Sequence, residues 1–167
     1  RGAKLVGAQL WQVLPGKTAL VWPSRVAPGE PLETARRLMG TACDALSAGR
    51  VRLAYAVLDQ VSEADDALLR SAVFAPLAEL LYLVAPEVQF PASRPASPLE
   101  FEPYGVDNHA RLARIVEATY EQTLDCPRLN HLRAVEDVLE GYRGTGVFDP
   151  GLWLLVRRGG RDVGCLL

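Results

Sequence analysis

A strand pattern, a loop, a helix pattern and a second strand pattern follow one another from Lys17 to Leu58, and this succession constrains the fold most. The first strand is predicted at Thr18–Trp22, an apolar run short enough for a buried strand. The second is predicted at Val51–Leu58. The helix between them carries an apolar stripe at i, i+3, i+4 and i+7 spacing: Leu32, Ala35, Leu38, Met39, Ala42, Cys43 and Leu46. Such units usually make two parallel strands joined by a right-handed crossover.

The loop before this helix contains Pro28, Gly29 and Pro31 and is a candidate anion site. Free backbone N–H groups and the positive end of the helix dipole meet at a loop of this kind, and both favour phosphate. The loop therefore points to a phosphate-bearing cofactor. An ordinary strand–helix connection without a ligand is the alternative, and the loop residues alone do not choose between the two.

The composition indicates a globular chain and argues against several classes of partner. The 167 residues suffice for one domain or two half-sized pieces, and 49% of them are hydrophobic. Eighteen basic and twenty acidic residues leave a net charge of −2, so neither nucleic acid nor an anionic membrane is expected as a partner. No apolar run approaches the ~20 residues of a membrane span, and no signal peptide is visible.

Cysteine and histidine usage predicts a cytoplasmic protein without a metal site. Cys43, Cys126 and Cys165 are widely spaced and odd in number, which is typical of free thiols in a reducing compartment. The only two histidines are His109 and His131, and no Cys/His cluster has zinc spacing. We therefore expect no metal cofactor.

The rest of the N-terminal half predicts a hairpin, a second helix and a further strand. Lys4–Leu14 is strand-like and is followed by a Pro-Gly turn signal. Ser62 is predicted to cap a helix whose first turn is acidic. Glu79–Val84 is predicted as a strand, and residues 85–98, with four prolines, as a linker.

The C-terminal half predicts a strand, two helices and a closing hairpin. The strand is expected at Leu99–Tyr104, followed by a helix capped by Asp107 or Asn108. A second helix is expected from about residue 132 to residue 142. The final hairpin turns at Gly159-Gly160 and runs to Leu167.

The two ends of the chain resemble each other. Residues 1–10 align with residues 158–167, and five of the ten positions are identical, including the Val-Gly pairs Val6-Gly7 and Val163-Gly164. The offset of 157 residues is about the length of one domain. The chain is therefore interpreted as one full period of a tandem duplication, which begins in the middle of one copy.

This order of elements resembles the GCN5-related N-acetyltransferase (GNAT) superfamily in tandem form. Residues 1–84 look like the later half of one domain, residues 85–98 are the linker, and residues 99–167 look like the opening half of a second domain. The resemblance implies an α/β (α+β) fold with a mixed, mostly antiparallel twisted sheet, about four flanking helices and a permuted order. Two arrangements are open: one continuous permuted sheet, or two incomplete halves that pair with the missing halves of the tandem protein.

The resemblance also implies an activity. GNAT enzymes transfer acetyl from acetyl-CoA to an amine by direct attack, so the expected acceptor is a small-molecule amine or a peptide N-terminus. The family's Gln/Arg-x-x-Gly-x-Gly/Ala loop falls on residues 25–31, which makes Arg25, Val26, Gly29 and Thr34 the expected cofactor-binding residues. The expected catalytic residues are Asp59 as base and Tyr82 as acid, with Tyr55 as the alternative acid.

Two other functional readings stay open. The family often has a tyrosine acid in its closing helix, and Leu69 stands at that position here. A catalytically silent GNAT-like scaffold or ligand-binding domain is therefore the alternative to an enzyme. A plain α/β domain whose likeness to the family is accidental is the third reading.

Overall fold

The computed structural model describes residues 4–90, 92, 97–123 and 126–167. The described strands, in chain order, are β1 Gly7–Ala8, β2 Trp11–Leu14, β3 Thr18–Val21, β4 Arg25–Val26, β5 Leu53–Tyr55, β6 Leu99–Pro103, β7 Leu154–Arg158 and β8 Arg161–Leu166. The described α-helices are α1 Leu32–Ala48, α2 Glu63–Ser71, α3 His109–Ala118 and α4 Val135–Arg143. The mixed α/β (α+β) class with mostly antiparallel sheets is confirmed.

The chain divides into two compact units. The first comprises Arg1–Pro76 and His131–Val147, and the second comprises Leu77–Asn130 and Phe148–Leu167. Helix α4 therefore belongs to the first unit. The assignment of residues 1–84 and 99–167 to halves of two GNAT-like domains stays a prediction.

The predicted strand–helix–strand unit is confirmed in the first unit. Strands β3 and β5 are parallel, with Thr18 opposite Leu53, and the sheet order is β2-β3-β5. Helix α1 connects them and buries Ala35, Met39, Ala42 and Leu46 of its apolar stripe, with Met39 fully inaccessible to solvent, whereas Leu32 at the start of the stripe is 49% exposed. The buried cluster joins α1 to β3 and α2, and its members are Ala19, Val21, Ala35, Met39, Leu46, Leu68 and Leu69. Burial of this stripe, rather than helix propensity, stabilises α1.

The predicted cap of α2 is also confirmed. The Asp65 amide donates to the Ser62 hydroxyl at 3.1 Å, which satisfies one of the amides that have no partner within the helix. Arg70, one helical turn after Asp66, donates a hydrogen bond to the Asp66 carboxylate at 2.7 Å. The acidic first turn and the basic last turn both complement the helix dipole.

The second unit is a three-stranded antiparallel sheet with a helix on one face. Its order is β6-β7-β8, and α3 packs against β8. The buried apolar side chains of this layer are Leu112, Ala113 and Val116 on α3 and Trp153 and Leu155 at β7. The register between β7 and β8 shifts between Val156 and Arg157, which marks a β-bulge.

The predicted strand at Glu79–Val84 is wrong, because these residues form neither helix nor strand. Their side chains lie in solvent, with Leu81 and Leu83 89% and 92% exposed. A strand needs a neighbour that accepts and donates backbone hydrogen bonds, and apolar periodicity does not supply one. The described strands also form three separate sheets, rather than one continuous permuted sheet.

The predicted strand Lys4–Leu14 is interrupted at Gln9 and Leu10. The Gln9 side-chain amide donates to the carbonyl oxygens of Leu10 and Trp22, at 2.9 and 2.7 Å. The Trp22 amide also donates to the Leu10 carbonyl at 3.1 Å. On either side of this point β1 pairs with β4, whereas β2 pairs with β3. Separately, no helix of the described residues has the length and apolar character needed to cross a membrane.

Candidate functional site

The loop between β4 and α1 forms a turn at Gly29 and leads directly into the helix, as its prolines and glycine predict. Strand β4 pairs with β1, and the Ala27 amide extends the pairing by donating to the Val6 carbonyl at 2.8 Å. A turn follows, in which the Glu30 amide donates to the Ala27 carbonyl at 3.1 Å. Gly29 has φ +87°, a conformation that glycine adopts without steric cost. The turn brings the chain to the start of α1.

The first turn of α1 offers backbone donors. Its N-cap is Pro31, which has no side-chain cap, and the first bond back to the cap is Thr34 N–H to Pro31 C=O at 2.9 Å. The amides of Leu32 and Glu33 precede that bond, so they have no partner within the helix. The dipole of this 17-residue helix favours an anion at the same end.

An open depression lies along one face of α1. Thr34, Arg37, Leu38 and Thr41 line it at i, i+3, i+4 and i+7 spacing, and its volume is about 250 Å³. The Arg37 guanidinium and the hydroxyl of Thr34 can bind oxygen anions, whereas the Thr41 hydroxyl donates to the Arg37 carbonyl at 2.9 Å. Thr34 is the predicted cofactor residue that lines this depression.

Arg25, a predicted cofactor-binding residue, forms an ion pair within the first unit. Its guanidinium forms a two-point pair with the Asp65 carboxylate, with N–O distances of 2.5 and 3.3 Å. This hydrogen bond is the main reason why the pKa of Asp65 lies below its ordinary value. The pair joins β4 to the first turn of α2. Val26, the next predicted residue, is half-buried on β4 and packs against the core of the first unit.

The predicted catalytic residues are both exposed. Asp59 lies in a bend after β5, in the first unit. Tyr82 belongs to the second unit and has 85% of its surface in solvent. Leu69, which stands where the resemblance expects a tyrosine acid, is 8% exposed in the core around α2. Asp59 and Tyr82 therefore belong to different units.

The structure places the three cysteines and shows how the candidate metal ligands are arranged. Within the described ranges, no group of three or more His, Cys, Asp or Glu side chains is placed to hold a metal ion. The three cysteines are unpaired. Burial raises the pKa of the Cys43 and Cys165 thiols, so both are less reactive at neutral pH than an ordinary thiol.

An arginine–carboxylate cluster in the second unit was missed by sequence reasoning. Arg111 of α3 donates to both carboxylate oxygens of Glu102 on β6, at 2.9 and 3.0 Å. It also donates to both oxygens of Asp162 on β8, at 3.0 and 2.5 Å. Arg157 on β7 lies 3.6 Å from each carboxylate. Two arginines and two carboxylates neutralise one another, so the cluster joins α3 to the sheet and leaves no net charge for a ligand.

The loop before α3 completes this cluster. The Asn108 side-chain amide donates to Glu102 at 3.0 Å and to the Pro103 carbonyl at 2.9 Å, and its oxygen accepts from the Gly105 amide at 2.9 Å. These bonds explain why a polar Asn108 is buried. No local sequence pattern predicts the cluster, because its members are up to 60 residues apart in the chain.

This cluster predicts a pH dependence of stability. Hydrogen bonds from Arg111 are the main cause that lowers the pKa of Glu102 and of Asp162. A carboxyl group with a lowered pKa stabilises the fold above its unfolded pKa of about 4, and the contribution is lost as pH falls through the folded value. Arg111→Gln should therefore lose less stability than the unchanged protein between about pH 6 and pH 3. Urea unfolding at both pH values measures the difference.

Arg114→Gln is the matched control for that experiment. It removes the same charge from an exposed position on the same helix, and it leaves the hydrogen bonds of Arg111 in place. Arg114 lowers the pKa of Asp162 only through its charge, as the weakest of the causes, so the pH dependence of this variant should change much less than that of Arg111→Gln. An equal change in both variants would mean that net charge, rather than the hydrogen-bonded cluster, sets the dependence.

Comparisons with protein-family models, with curated proteins and with solved structures found no match to this chain.

Proposed function

We propose that this chain is part of an acyl-CoA-dependent N-acetyltransferase of the GNAT superfamily, with acetyl-CoA as co-substrate and no metal. The observation that carries the proposal is the depression on α1, which places Arg37 and Thr34 beside a helix start with donor amides. A pyrophosphate needs a cation, hydroxyl donors and amide donors close together. In the preceding loop, Gly29 has a left-handed conformation and a Cβ added there would meet nothing within 4 Å, so the chain is open to solvent at this point.

The proposed reaction is direct attack of an amine on the acetyl thioester. The nitrogen forms a bond to the acetyl carbon, the carbon–sulfur bond breaks, and CoA leaves as a thiolate. The protein then supplies positioning, hydrogen bonds to the cofactor and a base that takes the ammonium proton. Asp59, which lies in the same unit as the depression on α1, is proposed as this base. The acceptor is a small-molecule amine or a peptide N-terminus.

Two observations favour the second candidate, a catalytically silent GNAT-like domain. Leu69 is buried in the core and has no acidic proton to give. The Arg25 guanidinium pairs with Asp65, so it meets a phosphate only if that pair opens. A silent domain would still bind acetyl-CoA in the depression on α1 but would not catalyse acetyl transfer. A cytoplasmic location is proposed for either candidate, because the three cysteines are unpaired.

Calorimetric titration with acetyl-CoA tests the site. Arg37→Gln should weaken binding about tenfold, since a hydrogen bond to a charged group contributes roughly 1.5–3 kcal/mol. Arg36→Gln is the matched control, because Arg36 is the adjacent arginine and lies 3.8 Å from the Glu33 carboxylate, outside the depression. Equal weakening in the two variants, or no heat at millimolar acetyl-CoA, would refute the α1 site.

A turnover assay separates the two candidates. Release of CoA thiol is followed with a thiol reagent while a panel of amines and peptides is supplied. An enzyme releases thiol only when an acceptor is present, and Asp59→Asn should slow this release. Acetyl-CoA binding without release for any acceptor would favour the silent domain.

A further inference from the structure

One face of the sheet in the second unit keeps apolar side chains in solvent. Alternation along the strands places Leu99 and Phe101 on the face opposite Glu102, and α3 packs on the Glu102 side. The register of the three strands adds further residues to the same face: Leu154, Val156, Gly164 and Leu166. We call this surface of β6, β7 and β8, on the side away from α3, the bare face.

The bare face is apolar and open. Leu99, Phe101 and Leu166 are 37%, 51% and 53% exposed. A Cβ added at Gly164 would meet nothing within 4 Å, so there is open space above the strand at that point. A sheet buries an apolar face against a further layer of structure, and α3 supplies such a layer on the other side of these strands. The bare face is therefore a surface on which a second layer can pack.

Two arginines mark one end of the bare face. Arg158 of β7 lies directly opposite Arg161 of β8 beside the hairpin turn, and the alternation puts both on the bare face. Like charges directly opposite each other in a sheet are destabilising. Both arginines are exposed, and within the part of the chain that the structure describes neither has a carboxylate partner. By contrast, Arg157 on the α3 side faces Glu102 and Asp162. The positive end of the bare face is thus left for an outside group to neutralise.

We propose that the bare face binds an amphipathic α-helix of a partner protein. The apolar stripe of that helix packs on β6, β7 and β8, and its acidic C-terminal turn meets Arg158 and Arg161. The breadth of the face fits one helix, because the outer two of three strands lie about 9–10 Å apart and a helix with its side chains is about 10–12 Å across. The negative end of the helix dipole and the acidic side chains both attract the arginine pair.

A helix fits this surface better than the other classes of occupant do. An extended peptide would use the free backbone groups at the edge of a sheet, whereas the bare face presents side chains. A small amphiphilic anion is usually held in a cavity that covers most of its surface, and a sheet face covers one side of it. The net charge of −2 does not favour an anionic membrane. The apolar surface and the arginine pair together therefore point to an acidic amphipathic helix.

Two designed peptides test the proposal by fluorescence anisotropy. Each is a labelled helix-forming peptide of about 18 residues, long enough to be partly helical alone, with leucines at i, i+3, i+4 and i+7 spacing. The first peptide has glutamates in its last turn, and the second has lysines at the same positions. The acidic peptide should bind the chain saturably, and the basic peptide should bind about tenfold more weakly or worse, because its charges face Arg158 and Arg161.

Arg158→Glu separates binding from folding. It places a carboxylate opposite Arg161, so the melting temperature should stay equal or rise, while binding of the acidic peptide should weaken about tenfold or more. A merely structural role of Arg158 would not move the two readouts in this way. Arg114→Glu is the matched control, since it makes the same charge change at an exposed position of α3, on the other side of the sheet. Its binding should stay close to that of the unchanged chain.

Three outcomes would overturn the proposal. These are equal binding of the two peptides, equal weakening by Arg158→Glu and Arg114→Glu, and the lack of saturable binding of either peptide at millimolar concentration. Sedimentation with vesicles of phosphatidylcholine and phosphatidylglycerol examines the membrane separately. If the chain binds these vesicles through Arg158 and the acidic peptide does not compete, the occupant is a lipid surface and the helix is ruled out.

Discussion

Gly16→Ala is expected to destabilise the first unit by about 3 kcal/mol or more, because two costs add at this turn. Gly16 has φ +74°, where an L side chain is strained. In addition, a Cβ there would lie 2.0 Å from the Asp137 carbonyl oxygen and 2.9 Å from the Gly141 nitrogen, both backbone atoms of α4. Backbone of a packed helix gives way only if the helix moves. Urea unfolding followed by circular dichroism measures the loss.

Gly29→Ala provides the comparison that separates the two costs. Gly29 has φ +87°, so its backbone strain is similar, but a Cβ there would meet nothing within 4 Å. It should lose only about 1–2 kcal/mol, the cost of the left-handed conformation. If the two variants lose equal amounts of stability, α4 does not hold the Pro15-Gly16 turn as tightly as the geometry indicates.

Contacts on either side of Gly16 support the same expectation. A Cβ at Gly144, the C-cap of α4, would lie 2.4 Å from the Pro15 side chain. Lys17 Nζ lies 2.8 Å from the Asp137 carboxylate. The turn therefore meets α4 on both sides of Gly16, which is why a single methyl group there has a large effect.

Met39→Ala should be the second large effect, with a loss of about 3 kcal/mol from the first unit. Met39 is fully inaccessible in the cluster between α1, β3 and α2. Its truncation removes burial and leaves a cavity, which together should lower the melting temperature of this unit by about 12–24 °C. Differential scanning calorimetry measures the shift.

Ser47→Ala is the matched control on the same helix. Ser47 is exposed near the C-terminal end of α1, so its truncation should change stability by no more than about 0.5 kcal/mol. A Met39 variant as stable as this control would mean that the core closes around the lost side chain, or that the cluster does not stabilise the unit.

Local patterns predicted the elements of the first unit well because each depends on neighbours in the chain. The stripe of α1 requires only helical spacing, and the Ser62 cap requires only a hydroxyl three residues before an amide. The candidate cofactor site was predicted in part for the same reason. Thr34 and Gly29 follow from the loop–helix pattern, whereas Arg37 depends on which face of α1 forms a depression.

Long-range contacts account for what was missed or wrong. Arg111, Glu102 and Asp162 meet only after β6, α3 and β8 have packed, and no spacing along the chain predicts this. Likewise, the position of Arg25 in the loop suggests a phosphate ligand, but in the folded chain its guanidinium pairs with the Asp65 carboxylate.

The sequence by itself determined the strand–helix–strand unit, the Ser62 cap, the hairpins and the repeat of Val-Gly pairs, since these follow from periodicity, turn chemistry and identity of residues. The predicted side-chain cap of α3 by Asp107 or Asn108 is wrong, because the Asn108 side chain bonds the loop and Glu102 instead. Only the tertiary structure decided which apolar stretches find a partner. Met39 became core, while Leu81 and Leu83 stayed in solvent. Burial requires a complementary surface at the right place, and that depends on the whole arrangement of elements rather than on any one of them.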